Sequence, residues 1–193
     1  MVQIPVRQIT LAEFLALPDT KPASEYIDGE ISQKSIPQGK HSIIQIELGM
    51  EINQALRRAG IATAFSELRC TFGGRSIVPD LVVIEDANIP GDENGDIENV
   101  FSIPPDWTIE ILSPEQSTNK VLKNINHCLD YGTKMGWLID PADRSVCVIG
   151  IDRTFQIIDR PDSILPVPTF ATSIQLTVER LFSWIKKTAR TDI

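Results

Sequence analysis

The chain switches between two hydrophobic periods, and the order of these switches predicts its secondary structure. Apolar residues recur with helical spacing from about 39 to 59, where Gly60 closes the segment, and again from about 116 to 132. Short runs rich in β-branched or apolar residues, bounded by turn residues, lie between and after these helices and predict strands. The predicted strands are IATAF, LRCTF, SIVPDLVVIE, DWTIEIL, GWLIDP, SVCVIG and TFQIID. Strands between and around two long helices predict an α/β sandwich with a mixed sheet.

Shorter signals predict the remaining elements. Thr10 followed by Glu13 fits a capping box, so LAEFLAL is predicted to form a short helix near the start of the chain. In SEYIDGEISQKSI, the pair Asp28 and Gly29 separates two alternating runs and predicts a β-hairpin, because a type I′ turn needs positive φ. The segment TVERLFSWIKKTA predicts a closing helix with a basic end.

Length, hydropathy and cysteine usage limit the class of protein. A single domain covering residues 1–193, with 42% hydrophobic residues, is long enough for a substantial core. No apolar run approaches the roughly 18 residues that span a bilayer, and the start lacks the apolar core of a signal peptide. A cytoplasmic protein with no membrane contact is therefore expected. Three cysteines without a Cys-x-x-Cys pair predict reduced, buried thiols instead of disulfides or a structural zinc site.

The net charge bears on the choice of partner. A formal net charge of −8 argues at first against nucleic acid, whose phosphates favour a basic surface. Six of the acids lie between residues 85 and 98, in a stretch with Gly and Pro that predicts a solvated loop, and without them the balance would be −2. The distribution of charge thus leaves nucleic acid open as a partner.

Two acidic residues lie on predicted strands, where most neighbours are apolar. Asp80 heads the run LVVIE, and Glu110 lies within TIEIL, where residues two apart share one face. If these strands are neighbours, the carboxylates meet, and at ~5 Å with an effective dielectric of ~20 they repel by about 3 kcal/mol. Mg²⁺ or Mn²⁺ would remove this repulsion, which points to phosphodiester chemistry. The alternative is structural: Asp80 caps a turn, and Glu110 pairs with an arginine such as Arg69 or Arg75.

The order of several short motifs resembles a known family. EYIDGE with Glu25, His41 near the start of the first long helix, VPDLVVIE, IEILSP and GWLIDP follow one another as in the Uma-type endonucleases. That family is common in cyanobacteria and was formerly a domain of unknown function. The resemblance covers roughly residues 10 to 185, and it rests on the order and spacing of the motifs together, since each motif alone is weak.

The resemblance implies a fold, a reaction and a set of residues. The family is similar to the PD-(D/E)XK restriction-endonuclease superfamily, which implies an α/β (α+β) fold with a mixed sheet flanked by helices. The implied reaction is a metal-dependent attack of water on a phosphodiester, with Mg²⁺ or Mn²⁺ as cofactor. Asp80 matches the aspartate of the first half of the motif and Glu110 the acid of the second half, so both would be catalytic and bind metal. The Ile111 carbonyl would be a further metal ligand.

The chain departs from the superfamily pattern at one position. A lysine is expected two residues after the acid, but Leu112 stands there and cannot orient water or stabilise an oxyanion. The following helix offers Lys120 and Lys123, with Asn124 one turn after Lys120 on the same side. We favour Lys120 as the catalytic amine. A solvated lysine on an amphipathic helix is the competing interpretation.

Other residues have candidate accessory roles beside structural ones. Glu25 could approach the metal by the resemblance, although a lone acid beside a turn would otherwise be exposed. His41 could be a base or a phosphate contact, or only part of a helix start, and Ser113 could contact phosphate or only end the strand. His127 is predicted to be structural. The two rings considered for base stacking are predicted to be buried in the core instead; they are Tyr131 and Trp137.

Three functions remain open from sequence. The first is a metal-dependent nuclease of DNA, with Asp80 and Glu110 binding Mg²⁺ and Lys120 assisting. The second is an inactive nuclease-like domain that binds nucleic acid or protein, which Leu112 permits. The third is a two-carboxylate hydrolase such as a glycosidase, which needs no metal. A homodimer is compatible with the sequence but is not specified by it.

Overall fold

The computed structural model describes residues 9–114 and 116–187, which form helices on two β-sheets. The helices are α1 (Leu11–Leu15), α2 (Gly39–Ala55), α3 (Thr118–Asp130) and α4 (Val178–Ser183). The strands are β1 (Ser24–Ile27), β2 (Glu30–Gln33), β3 (Ala62–Ser66), β4 (Cys70–Phe72), β5 (Arg75–Ile77), β6 (Leu81–Glu85), β7 (Trp107–Ile111), β8 (Met135–Asp140), β9 (Ser145–Gly150) and β10 (Phe155–Ile158). Short 3₁₀ turns cover Arg57–Ala59, Asp86–Asn88 and Thr169–Ala171.

The larger sheet is mixed, as predicted. Its order is β10-β9-β8-β7-β6-β3, with β7 and β8 parallel and its other neighbours antiparallel. A second, antiparallel sheet has the order β2-β1-β5-β4. Sequence periodicity did not reveal this second sheet, because it does not indicate which strands pair.

The run SIVPDLVVIE is the clearest correction to the sequence prediction. It forms two strands in different sheets: β5 ends at Ile77 in the smaller sheet, and β6 begins at Leu81 in the larger one. Between them the chain crosses from one sheet to the other through Val78, Pro79 and Asp80. Proline cannot donate to a β-ladder, so its position at this crossing fits the break. Asp80 therefore lies at the crossing, immediately before the strand.

Helix α3 connects the parallel strands β7 and β8 and covers one face of the larger sheet. Its apolar side chains Val121, Ile125 and Leu129 pack with Leu138 of β8 in one buried cluster. Gly136 on β8 allows close approach, because a Cβ there would lie 2.2 Å from Ile125 Cγ2. The small residue on the strand and the branched residue on the helix thus set the spacing between the two layers.

Helix α2 covers the opposite face and supplies most of its buried apolar residues. Leu48 and Ile52 of α2 pack in one cluster with Trp107 and Trp137, whose rings meet edge-on at a centroid distance of 4.7 Å. The predicted burial of Trp137 is confirmed. Tyr131 is a correction, because its residue is 51% exposed and its ring contacts other rings only along one side.

Several smaller predictions are confirmed. The capping box of Thr10 and Glu13 is present at the start of α1, and Asp28 and Gly29 form the two-residue turn between β1 and β2 with positive φ. All three cysteines are free, and burial raises the pKa of Cys70 to about 12. The closing helix is shorter than predicted, since α4 ends at Ser183, and the last two residues of the predicted segment lie outside the described residues.

No described helix is both long and apolar enough to cross a membrane.

Candidate active site

Strands β6 and β7 bring the two predicted carboxylates together. They pair in an antiparallel register in which Leu81 lies opposite Ile109, so the preceding Asp80 lies opposite Glu110 on the same face. That face is the one covered by α3 and the smaller sheet, and only 3% of Asp80 and 4% of Glu110 is exposed. The two strands are therefore neighbours, which was the condition for the carboxylates to meet. The charge of these two buried carboxylates is offset by the groups that contact them.

Asp80 is held by three donors. Oδ1 lies 2.6 Å from Lys34 Nζ, while Oδ2 lies 3.0 Å from His41 Nε2 and accepts the N–H of Ile111 at 2.7 Å. Neither arginine proposed as a structural partner reaches either acid in the described residues, since Arg69 contacts Ser24, Ser76 and Asp19 and Arg75 pairs with Asp28.. Asp80 thus has a fixed orientation at the mouth of a cleft.

Lys34 is the residue that sequence reasoning missed. It directly follows β2, its side chain is 13% exposed, and its ammonium donates to Val78 O at 2.6 Å. The same Nζ lies 3.7 Å from Glu110 Oε2, so one positive charge stands between the two carboxylates. The signal was available in the hairpin: a two-residue turn pairs Glu25 with Ser32, which places Lys34 on the face of the hairpin that carries Glu25.

Glu25 adds a third buried carboxylate to the site. Strand β1 positions it so that Oε1 accepts the N–H of Val78 at 2.9 Å, and Oε2 lies 3.5 Å from Asn124 Nδ2. Only 5% of Glu25 is exposed, so the interpretation of a lone exposed acid is wrong. The hairpin therefore supplies both an acid and a cation to the cleft.

The environment shifts the pKa values of the two facing acids in opposite directions. Burial raises the pKa of Glu110 well above its usual range; Lys34 opposes this, and the charges of Asp80 and Glu25 add to it. For Asp80, burial also acts to raise the pKa, but the hydrogen bond from His41 and the charge of Lys34 outweigh it and hold the pKa well below its usual range. Neighbouring acids whose pKa values are shifted in opposite directions in this way are typical of functional sites.

Two cavities meet at Lys34. The outer one, of about 540 Å³, is lined by Lys34, His41, Asp80 and Ser113 among others. The inner one, of about 200 Å³, is lined by Glu25, Lys34, Glu110, Lys120 and Asn124 among others. Of the residues assigned to the site, Lys34 belongs to both.

The other predicted site residues differ in how they contact the two cavities. Ser113 is buried beside the outer cavity, and its N–H donates to Gln116 Oε1 at 3.1 Å. Lys120 lies exposed in the first turn of α3, and it lines the inner cavity, whereas Lys123 lines neither cavity. Leu112 is half-buried and packs against the apolar cluster of α3. The main chain of Ile111 reaches Asp80 through its N–H.

The donor atoms fit a hard divalent cation. Glu25, Asp80 and Glu110 offer carboxylate oxygens, and the buried Oδ1 of Asn124 has no hydrogen-bond partner in the described residues. No set of three His, Cys, Asp and Glu side chains within residues 9–114 and 116–187 is already grouped as metal ligands. The ammonium of Lys34 stands between Asp80 and Glu110. A cation at these oxygens would compete with that ammonium.

A mixed sheet flanked by helices, with an acid at the head of one central strand facing an acid on the next, defines a restriction-endonuclease-like fold. Residues 11–179 match the model of the Uma2 family, described as "Putative restriction endonuclease", and the chain belongs to that family. It is similar to the crystal structure of "a putative nuclease belonging to DUF820" from Anabaena variabilis ATCC 29413. The identity is 56%, over 91% of this chain and 98% of that one, with a TM-score of 0.90. No curated protein matches this chain.

Proposed function

We propose that this protein is a metal-dependent nuclease that hydrolyses phosphodiester bonds of DNA. The observation that carries the proposal is the pair Asp80 and Glu110, buried opposite each other at the junction of two cavities, with a cation between them. Membership of the Uma2 family supports the reaction class. A glycosidase would need no cation between its acids, so the position of Lys34 argues against that alternative.

The proposed cofactor is Mg²⁺ or Mn²⁺. Asp80 and Glu110 would hold it, with the Ile111 carbonyl as a further ligand and Glu25 as an accessory one. When bound, such an ion lowers the pKa of a coordinated water and neutralises charge developing on the phosphorus oxygens. Such an ion prefers oxygen ligands, and Asp80, Glu110 and Glu25 supply carboxylate oxygens.

The chain's own residues would orient the reactants. His41 and the Ile111 N–H fix the Asp80 carboxylate, so its oxygens keep one direction. The phosphodiester would enter through the outer cavity, where Ser113 could donate to a phosphate oxygen. An amine must replace the lysine absent at 112. Lys120, which lines the inner cavity, is the sequence-based proposal for it, and Lys34 is the alternative that the geometry adds.

The test is cleavage of supercoiled DNA, single-stranded DNA and RNA with Mg²⁺, Mn²⁺ or EDTA, using Asp80→Asn as the control. We expect cleavage of DNA with either metal ion, none in EDTA, and a loss of at least about 100-fold in Asp80→Asn. Cleavage that persists in EDTA, or equal cleavage by the variant, would contradict the proposal. Cleavage of RNA alone would support the proposed hydrolysis but show that RNA, and not DNA, is the substrate.

One observation favours a second candidate function. Leu112 is half-buried and packs against the apolar cluster of α3, so an apolar contact stands at the position of the superfamily lysine. An inactive nuclease-like domain that binds nucleic acid or protein is consistent with this. Binding of DNA without turnover in any metal ion would favour that function.

A cytoplasmic location and a homodimer remain predictions from the sequence.

A further inference from the structure

We propose that Lys34, delivered by the β-hairpin, is the catalytic lysine of this nuclease and replaces the lysine absent at position 112. The inference rests on the proposed function and names the group that assists it. The amine would approach the carboxylates from the smaller sheet, whereas the superfamily pattern places it on the strand that carries the acid. The active site would then be completed by β1 and β2 as well as by β6 and β7.

The position of the Lys34 amine beside both acids supports this role. Lys34 Nζ lies 2.6 Å from Asp80 Oδ1 and 3.7 Å from Glu110 Oε2, and within the described residues no other lysine pairs with either acid. A lysine two residues after Glu110 would lie on the same face of β7 as that acid. Lys34 reaches the same acid from the facing layer. Its amine thus occupies the neighbourhood in which the missing one would act.

The orientation of the Lys34 side chain is fixed by hydrogen bonds. The N–H of Lys34 donates to Ala23 O at 2.9 Å, and its ammonium donates to Val78 O at 2.6 Å, so both ends of the residue are held. An amine that is already fixed loses little side-chain freedom when it binds a reactant. Lys120 lies exposed on the first turn of α3, and would have to be ordered first.

The Lys34 amine is accessible from both cavities. Lys34 lines both cavities, so its amine can contact a phosphodiester in the outer one while it remains beside Glu110 in the inner one. The placement suits a group that must contact both a carboxylate-bound water and a phosphate oxygen.

The step itself balances without further reactants. The oxygen of water forms a bond to phosphorus, and the bond from phosphorus to the leaving ester oxygen breaks. The proton released from water passes to solvent, and the leaving oxygen takes a proton from solvent. The ammonium of Lys34 keeps its protons throughout and donates hydrogen bonds to the attacking water and to a non-bridging oxygen, where negative charge develops.

The test compares Lys34→Met with Lys120→Met, the rival amine, and with Lys123→Met as the matched control, since Lys123 is exposed on α3 and lines neither cavity. Leu112→Lys is added to the Lys34→Met background. Cleavage of DNA, Mn²⁺ affinity by calorimetry and melting temperature are measured for each protein. We expect Lys34→Met to lose about 100-fold or more in turnover, a larger loss than in Lys120→Met, while Lys123→Met stays near wild type. Mn²⁺ should bind Lys34→Met at least as tightly as wild type, because the competing ammonium is gone. Leu112→Lys should restore part of the activity.

The outcomes separate this inference from the proposed function. If wild type cleaves and Lys34→Met cleaves equally well, Lys34 has no catalytic role and the proposed function stands. If Lys34→Met loses Mn²⁺ binding along with turnover, Lys34 only maintains the metal ligands, and the inference is overturned. If wild type cleaves nothing in any metal ion, both fall. Should Lys34→Met not fold, Lys34→Gln, which retains a donor for Val78 O, takes its place in each comparison.

Discussion

Asp80 and Glu110 face each other across two strands, but each carboxylate has a different set of partners. Asp80 has a lysine, a histidine and the N–H of Ile111, whereas Glu110 lies farther from the same lysine and has a main-chain hydrogen bond from Asp80. Repulsion between the two acids, taken by itself, would predict that neutralising either one stabilises the metal-free protein. The structure reverses this expectation for Asp80, because its charge is compensated by Lys34 and His41.

In EDTA we expect Asp80→Asn to lower the melting temperature by several degrees, since removing one partner of a buried charged pair costs about 3 kcal/mol. Glu110→Gln should raise the melting temperature or leave it unchanged. The fold already favours a neutral Glu110, because burial raises its pKa. Thermal unfolding checks both variants. A higher melting temperature for both variants would mean that repulsion dominates at Asp80. A lower melting temperature for both would mean that Glu110 is charged and paired.

His127 allows a test of pH dependence away from the cleft. It stacks on Phe72 at a centroid distance of 4.8 Å, and burial lowers its pKa, with the hydrogen bond to Phe72 O opposing and Arg75 contributing to the shift. Asp28 and Asp130 oppose the shift. The fold thus favours neutral His127, and this contribution is complete above about pH 6.5, the ordinary value, and is lost as pH falls through the lowered pKa.

We therefore expect the stability difference between wild type and His127→Gln to shrink as pH falls from about 7 to 5. Urea unfolding of both proteins at several pH values measures it. The variant serves as the reference for all other titrating groups, which both proteins share. A difference that grows on acidification would show that the folded state prefers the charged imidazole.

At the scale of elements, local signals were sufficient wherever a local rule decides the structure. The Asp28-Gly29 turn predicted the hairpin, and the capping box predicted the start of α1. The division of SIVPDLVVIE between two sheets was not predictable by period, because both halves are short apolar runs and long-range pairing decides which sheet each joins. The same limit hid Lys34, whose position depends on how the hairpin packs against the crossing at Val78 and Asp80.

The layer spacing between α3 and the larger sheet provides an element-scale prediction. Gly136→Ala would place a Cβ 2.2 Å from Ile125 Cγ2, so we expect a loss of about 1–3 kcal/mol in the free energy of unfolding. Ile125→Val keeps Cγ2, whereas Ile125→Ala removes it. When combined with Gly136→Ala, only Ile125→Ala should therefore recover part of the loss caused by the new methyl. Urea unfolding measures each value.

Gly49 is the matched control for this substitution. It lies inside α2, and a Cβ there would meet only Leu81 Cδ2, at 3.4 Å. Gly49→Ala should therefore be neutral or stabilise by up to about 1 kcal/mol, as expected in a helix interior. Equal effects at Gly49 and Gly136 would show that close packing of α3 does not determine the cost.

At the scale of the whole molecule, the net charge of −8 restricts how DNA can bind. Of the arginines that could form local basic patches, Arg75 is already paired with Asp28, while Arg57 and Arg58 are exposed and line a groove between α2 and β3. Binding should be weak, metal-assisted and steeply salt-dependent. Tight binding in EDTA at about 200 mM salt would contradict this account.

The charge-reversal pair Arg57→Glu and Arg58→Glu tests whether that groove contributes. We expect weaker DNA binding and a shallower dependence on salt, because fewer phosphates would be neutralised. Fluorescence anisotropy at several salt concentrations measures both quantities. Unchanged binding with an unchanged slope would show that DNA does not use this groove.

The central claim is that a divalent ion binds at Asp80 and Glu110, and anomalous diffraction from crystals soaked in Mn²⁺ tests it most directly. We predict an anomalous peak in contact with carboxylate oxygens of both residues, with Lys34 Nζ no longer 2.6 Å from Asp80 Oδ1. A matching soak of Asp80→Asn should show no peak. Crystals of the wild type with no peak at the two acids, and with Lys34 still between them, would contradict the claim.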